Sequence, residues 1–320
     1  MKYIDGHCDV LWKMYERQGK VSFYDPASPL DVTYDKAIAA NYFMQTFAVF
    51  VPPHVPRGGR LHAMLAMIDM FYERIVGDGS KVTAVTSYGE LAAVARQEGK
   101  IAALLHLEGA DALEGELYNL RTVARLGVRS IGLTWNWANE VADGVEEARG
   151  GGLTRFGRQF VREMARLSVL LDVAHLSERG FWDVLELGEP LAVYTSHGNA
   201  RRMCSHPRNL DDAQIKAIIA RGGVIGLTFV PWFVDDRCTE NDNRAQATTL
   251  LKHIDHICSL GGEHHVAFGS DFDGFTPKMD NLIDASDSAY LREMLLKHYS
   301  EAQVKRFMSD NWLRFYHDFL

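Results

Sequence analysis

Residues 101–109 read Ile101-Ala102-Ala103-Leu104-Leu105-His106-Leu107-Glu108-Gly109. Apart from His106, everything up to Leu107 is apolar, without the in-and-out alternation of a half-exposed strand. A parallel strand covered on both faces requires such a run. Seven further segments repeat the pattern, at 3–9, 44–51, 130–136, 170–175, 191–196, 224–229 and 265–270. Between them lie segments of helical character at 61–75, 117–126, 155–167, 179–187, 211–220 and 245–260. In 245–260, Leu250, Leu251, Ile254, Ile257 and Cys258 fall on one stripe. Asp211-Asp212 ahead of Gln214 marks a helix start, and Gly222-Gly223 a stop.

Eight β/α alternations within about 270 residues suit a closed barrel better than an open sheet. The expected class is therefore α/β, a (β/α)₈ TIM barrel, with residues 1–320 as one domain. No internal repeat or Ser/Pro-rich linker divides the chain. Gly150-Gly151-Gly152, within 144–152, predicts a mobile loop after the fourth strand.

The chain has 320 residues, 47% of them hydrophobic, and a formal net charge of −8. That supports a large core and argues against a nucleic-acid partner, which needs clustered Lys and Arg. Cys8, Cys204, Cys238 and Cys258 lie far apart, so reduced thiols are expected rather than a disulfide framework or a zinc knuckle. No stretch nears the ~20 apolar residues of a membrane span, and no leader or anchor pattern is visible. A cytoplasmic protein without membrane contact is expected, with a homodimer as the default assembly.

The chemistry gathers where the strands end. In Asp5-Gly6-His7-Cys8-Asp9, alternation puts His7 and Asp9 on one face, so both can grip one cation. Taken alone, such a triplet is common by chance. Glu108 ends the third run, His175 the fifth, His197 follows the sixth, and Asp271 and Asp273 follow the eighth. In a barrel these ends share one rim, the rim that carries active sites. Ionisable groups on five strands are hard to explain as packing, because burying them is costly unless they are paired or metal-bound.

Imidazoles with carboxylates suit zinc, and Glu108 has two oxygens to share between two ions. Two ions about 3.5–4 Å apart would activate one bridging hydroxide, with Asp271 carrying its proton to a leaving amine. His106 shares a face with Glu108 and is expected to support the site from outside the ligand set. The other histidines are expected at the surface or satisfied in the core. Trp232 and Phe233, after the seventh run, are candidates for the pocket wall.

Jointly these motifs resemble the renal (membrane) dipeptidase family, zinc hydrolases of the amidohydrolase type. The matching pieces are Asp5-Gly6-His7-x-Asp9, Leu107-Glu108-Gly109, Asp172-Val173-Ala174-His175-Leu176-Ser177, Ser196-His197, Arg208-Asn209 and Gly269-Ser270-Asp271-Phe272-Asp273-Gly274. They occur in family order from residue 5 to residue 274. The resemblance implies that His7 and Asp9 bind one zinc ion, that His175 and His197 bind a second, and that Glu108 bridges them. It also implies that Asp271 is the catalytic acid/base and that Arg208 receives the substrate's terminal carboxylate. A planar guanidinium fork suits that last task.

One departure stands at the fourth strand. The family ends it in Thr-His, whose His polarises the scissile carbonyl, and this chain has Thr134-Trp135-Asn136. Trp135 is expected to shape the pocket, and Asn136 or Asn139 to supply a donor to the substrate. Ala124 stands where the family has a Tyr.

The expected activity is zinc-dependent hydrolysis of dipeptides, L,D-dipeptides included, by a hydroxide bridging two Zn²⁺ per chain. The alternative is another amidohydrolase, such as an N-acyl amino acid deacylase or lactonase. A barrel that has lost its activity is the reading from outside the enzymes.

Overall fold

The computed structural model describes residues 1–320. Its strands are β1 (Tyr3–Cys8), β2 (Tyr42–Phe50), β3 (Val82–Ala84), β4 (Ile101–Glu108), β5 (Val128–Gly132), β6 (Leu170–Asp172), β7 (Val193–Tyr194), β8 (Ile225–Leu227) and β9 (Val266–Phe268). The main sheet runs β1-β2-β4-β5-β6-β7, while β8 pairs with β9, every pair being parallel. Two short parallel bridges close the ring. Thr195 meets Ile225, with Thr195 N–H donating to the Val224 carbonyl at 3.0 Å, and Cys8 meets Phe272, with Asp9 N–H donating to the Phe272 carbonyl at 2.8 Å. The expected eight-stranded barrel is therefore present. Strand β3 is additional; it pairs only with the start of β4 and is too short to stand out in the sequence.

The expected helices appear with ends moved by a few residues. Helix Asp212–Ala220 begins at an Asp211 N-cap whose side chain accepts from Gln214 N–H, while the Gln214 side chain reaches back to Asp211 N–H. The 61–75 segment becomes helix Arg57–Met70 followed by a wider turn at Phe71–Val76. No helix is long and apolar enough to cross a membrane.

Even-numbered residues of β4 point into the barrel. Ala102 and Leu104 pack there with Ile4, Met44, Leu170, Tyr194, Val224 and Ala267. Trp312, Phe315 and Tyr316, from helix Asn311–Phe319, fill the same cluster from the end where the strands begin. The Trp312 indole is fully buried and donates to the Phe268 carbonyl at 2.9 Å. Gly6 leaves it room, because a Cβ there would overlap the indole. With this end of the barrel interior plugged, the cleft that reaches Glu108 and His175 opens at the carboxyl ends of the strands.

The 144–152 loop expected to be mobile is fastened. The Asp143 carboxylate accepts from Arg149 Nε at 2.7 Å and Gly151 N–H at 2.8 Å, and Ser177 Oγ donates to the Gly151 carbonyl at 2.6 Å. A carboxylate binding a loop's own amides and guanidinium removes the freedom that three glycines otherwise confer.

Candidate metal-binding active site

Several strands stop short of the residues that carry chemistry, and the backbone then turns. Strand β6 ends at Asp172, three residues before His175, whose φ is +64°. Beyond β9, Asp271 has φ +65°. Left-handed backbone costs a non-glycine residue roughly 1–2 kcal/mol, and such strain persists where surrounding contacts hold it. After Glu108 the chain needs φ +82°, supplied by Gly109, where a Cβ would lie 3.0 Å from Asp111 Oδ2 and 3.2 Å from Trp135 N. These turns aim side chains from separate strands at one point on the rim.

His7 Nε2 lies 3.5 Å from Glu108 Oε2, 3.8 Å from Asp9 Oδ2 and 3.9 Å from Asp271 Oδ1. The other Glu108 oxygen, Oε1, lies 2.9 Å from His175 Nε2 and 3.7 Å from His197 Nε2. The two histidine Nε2 atoms are 2.9 Å apart. Glu108 thus faces two donor groups, one oxygen to each. His7 Nε2 and Asp9 Oδ1 are buried without any hydrogen-bond partner. Lone pairs this close repel unless a proton or cation lies among them, and the N/O donor set is one that zinc-like ions take. Gly274 completes the cradle: a Cβ there would sit 2.6 Å from Asp271 Oδ1 and closer still to Asp9 Oδ2. The residues present fit a metal centre.

Electrostatics divide the site. Burial, reinforced by the nearby Arg208 guanidinium, pulls the His175 pKa down to about 4, so its imidazole is neutral. Burial, then His7, holds that of His197 well below its usual range. Burial opposes charge on His7 too, but Glu108 and Asp9 outweigh it and raise its pKa well above normal. Burial and then Asp9 push Asp271 well above the ordinary carboxylate range. His106 sits beneath, fully buried, with Nδ1 2.9 Å from Ser130 Oγ, and burial lowers its pKa to about 4.

Arg208 lies beside this group, 4% exposed. Its guanidinium makes a single hydrogen bond, to the His197 carbonyl at 3.3 Å, and lies 5.3 Å over the Phe233 ring. Nε has no partner, and Asp271 and Glu108 act on the guanidinium through space without pairing with it. An unpaired buried guanidinium is costly unless an anion arrives to pair with it.

A cleft of about 220 Å³ opens above the cluster and is lined by Asp9, Glu108, His175 and Asp271. Trp135, Trp232 and Phe233 line it too. Trp12 and Phe50 form part of the wall with Trp135, their rings 5.3–6.2 Å apart. Nothing in their local sequence singled them out, since an aromatic on a helix or strand usually reports core. Asn136 also borders the cleft, with both ends of its amide engaged, by His175 and Glu146. Asn139 is turned away, bonded to Asp111 and the Leu133 carbonyl.

Compared with known proteins, the chain matches the membrane dipeptidase family (peptidase family M19) over residues 1–319. It is 37% identical to a Klebsiella pneumoniae protein described as an uncharacterized protein in the pqqA 5′ region, over 68% of this chain and 82% of that one. Its fold superposes on a metallo peptidase from Rhodobacter sphaeroides liganded with a phosphinate mimic of the dipeptide L-Ala-D-Ala, with TM-score 0.92, 24% identity, and coverage of 100% of this chain and 99% of that one. A second similar structure, the metallo peptidase dipeptidase AC, gives TM-score 0.89 at 25% identity, covering 100% and 98%.

Proposed function

From the premise that this chain belongs to the membrane dipeptidase family of metallopeptidases, we propose that it cleaves dipeptides, L,D-dipeptides included, with two zinc ions at the rim of a single catalytic domain. His7, Asp9 and Glu108 would hold one ion, and His175, His197 and Glu108 the other. Bound there, zinc supplies Lewis acidity, polarising the scissile carbonyl and lowering the pKa of water.

The observation that carries the substrate reading is Arg208, a buried guanidinium without a carboxylate beside the donor cluster. A dipeptide's terminal carboxylate supplies the missing anion and places the peptide bond over the cluster. Asp271 accepts a proton from the attacking water and returns it to the leaving amine. Its Oδ1 lies 3.9 Å from His7 Nε2, at the edge of the donor cluster where that proton would be handed over. Trp12, Phe50 and Trp135 exclude water from one side of the cleft. No histidine from the end of β5 acts on the carbonyl here, because Trp135 stands there.

The test is zinc stoichiometry together with hydrolysis of L,L- and L,D-dipeptides and of their C-terminal amides. About two zinc per chain and chelator-sensitive cleavage that requires the free carboxylate are expected. Cleavage indifferent to the carboxylate would refute the dipeptide reading.

A further inference from the structure

We propose that Asn136 is a positioning residue that decides which nitrogen of His175 is offered to the metal, and that Glu146 decides which way the Asn136 amide faces. The proposal rests on the metal-site reading above. It begins with the stretch Thr134-Trp135-Asn136, all three residues of which grip His175. Thr134 Oγ1 donates to the His175 carbonyl at 3.2 Å, and Val145 N–H donates to the same carbonyl at 2.8 Å. The Trp135 ring lies 5.9 Å from the imidazole at an interplanar angle of 32°. Asn136 Oδ1 is 2.6 Å from His175 Nδ1.

A neutral imidazole carries one N–H, and which nitrogen bears it depends on the neighbour. An amide oxygen can only accept, so opposite Asn136 Oδ1 the hydrogen must sit on Nδ1. Nε2 then carries the lone pair, and Nε2 is the atom directed at Glu108 Oε1 and His197 Nε2. Were the amide turned over, its NH₂ would face Nδ1 and drive the hydrogen to Nε2, into the metal position. Glu146 prevents this, because Asn136 Nδ2 donates to Glu146 Oε1 at 3.0 Å and an ionised carboxylate offers no hydrogen. The turn carrying Glu146 is itself fixed, its N–H donating to the Asn136 carbonyl at 2.9 Å.

His197 lacks an equivalent device. Its Nδ1 partner is Ser196 Oγ at 2.7 Å, a hydroxyl that serves as donor or acceptor. The directional constraint falls on His175 alone. Partners that orient metal-bound histidines in this way are worth about 10–100-fold in metal affinity.

The test uses the full chain, ¹⁵N-labelled at histidine. In metal-free wild type, the His175 nitrogens read as the tautomer protonated at Nδ1. Asn136→Leu is expected to give a mixture of tautomers and, by zinc titration against a competing chelator, about 10–100-fold weaker binding at one of the two sites. Glu146→Gln is expected to fall between wild type and Asn136→Leu. The double variant Asn136→Asp/Glu146→Gln restores an acceptor toward His175 and a donor toward the new carboxylate, so tautomer and affinity return to near wild type. A pure Nδ1-protonated tautomer and unchanged zinc affinity in Asn136→Leu would overturn the proposal, as would failure of the double variant to recover either. A wild-type protein that takes up no zinc defeats the metal-site reading instead, and the metal-free tautomer spectra still decide the role of Asn136.

Discussion

Replacing Arg208 by Met should separate stability from activity, in opposite directions. The guanidinium is 4% exposed, bonded only to the His197 carbonyl, and without a carboxylate partner. Burying an unpaired cation costs several kcal/mol, and Met keeps most of the contact with Phe233 while removing the charge. The free enzyme should therefore melt no lower than wild type. With substrate bound the balance reverses. Hydrogen bonds to charged groups contribute about 1.5–3 kcal/mol each, and a fork making two of them supplies about 3–6 kcal/mol. At about 1.4 kcal/mol per tenfold, kcat/KM for a dipeptide should fall by about 10²–10⁴. The C-terminal amide of the same dipeptide lacks the carboxylate and should lose less than about threefold. Steady-state kinetics on the acid and amide pair, with calorimetry on the free protein, reads all three quantities. An equal loss on acid and amide, or a clearly lower melting temperature with retained dipeptide activity, would refute the reasoning.

Stripping the metal with a chelator should abolish hydrolysis and lower the melting temperature; saturation at 100 times Kd contributes about 2.7 kcal/mol, and restored zinc should return both. Gly109→Ala should destabilise the fold by about 1–2 kcal/mol or more, from the left-handed backbone and the close approach of Trp135 N, as read by urea unfolding. Glu163 has its pKa drawn down to about 2, first by Arg166 and then by Arg121. A depressed folded-state value stabilises the fold above the ordinary Glu range, and the contribution is lost as pH falls through about 2. The melting temperature of wild type should thus exceed that of Glu163→Gln near neutrality and converge with it toward pH 2; a gap that widens on acidification would contradict the sign.

The barrel was readable because buried parallel strands need unbroken apolar runs, and eight such runs are in the sequence. The rim was readable for a related reason, since ionisable residues closing those runs have few explanations besides function. Where the reading overran, the site was responsible. The run ending at His175 continues as apolar sequence, yet β6 stops at Asp172 because His175 must turn to φ +64° to aim its ring. Hydropathy carries no trace of that turn. Asn136 was singled out, but its partners were not foreseeable: nothing local says that an amide 39 residues before His175 lies against its ring. Trp12 and Phe50 escaped notice for the converse reason, being aromatic residues that look like core until the cleft is seen beside them. The fastening of 144–152 depends on Asp143 facing inward to its own loop, which composition cannot express.

Helix Asn311–Phe319 fills the barrel from the end where the strands begin, and this bears on how the chain is made. Ile4, Met44 and Ala102 leave the ribosome long before Trp312, Phe315 and Tyr316 exist to cover them. Strand β1 likewise waits for Phe272 before its open edge is bridged. During synthesis the nascent sheet therefore carries a free β1 edge until Phe272 is made, and an uncovered interior until Trp312, Phe315 and Tyr316 follow. The interval of greatest exposure to aggregation and proteolysis falls late in translation, and a ribosome that stalls before residue 312 releases a barrel with no floor.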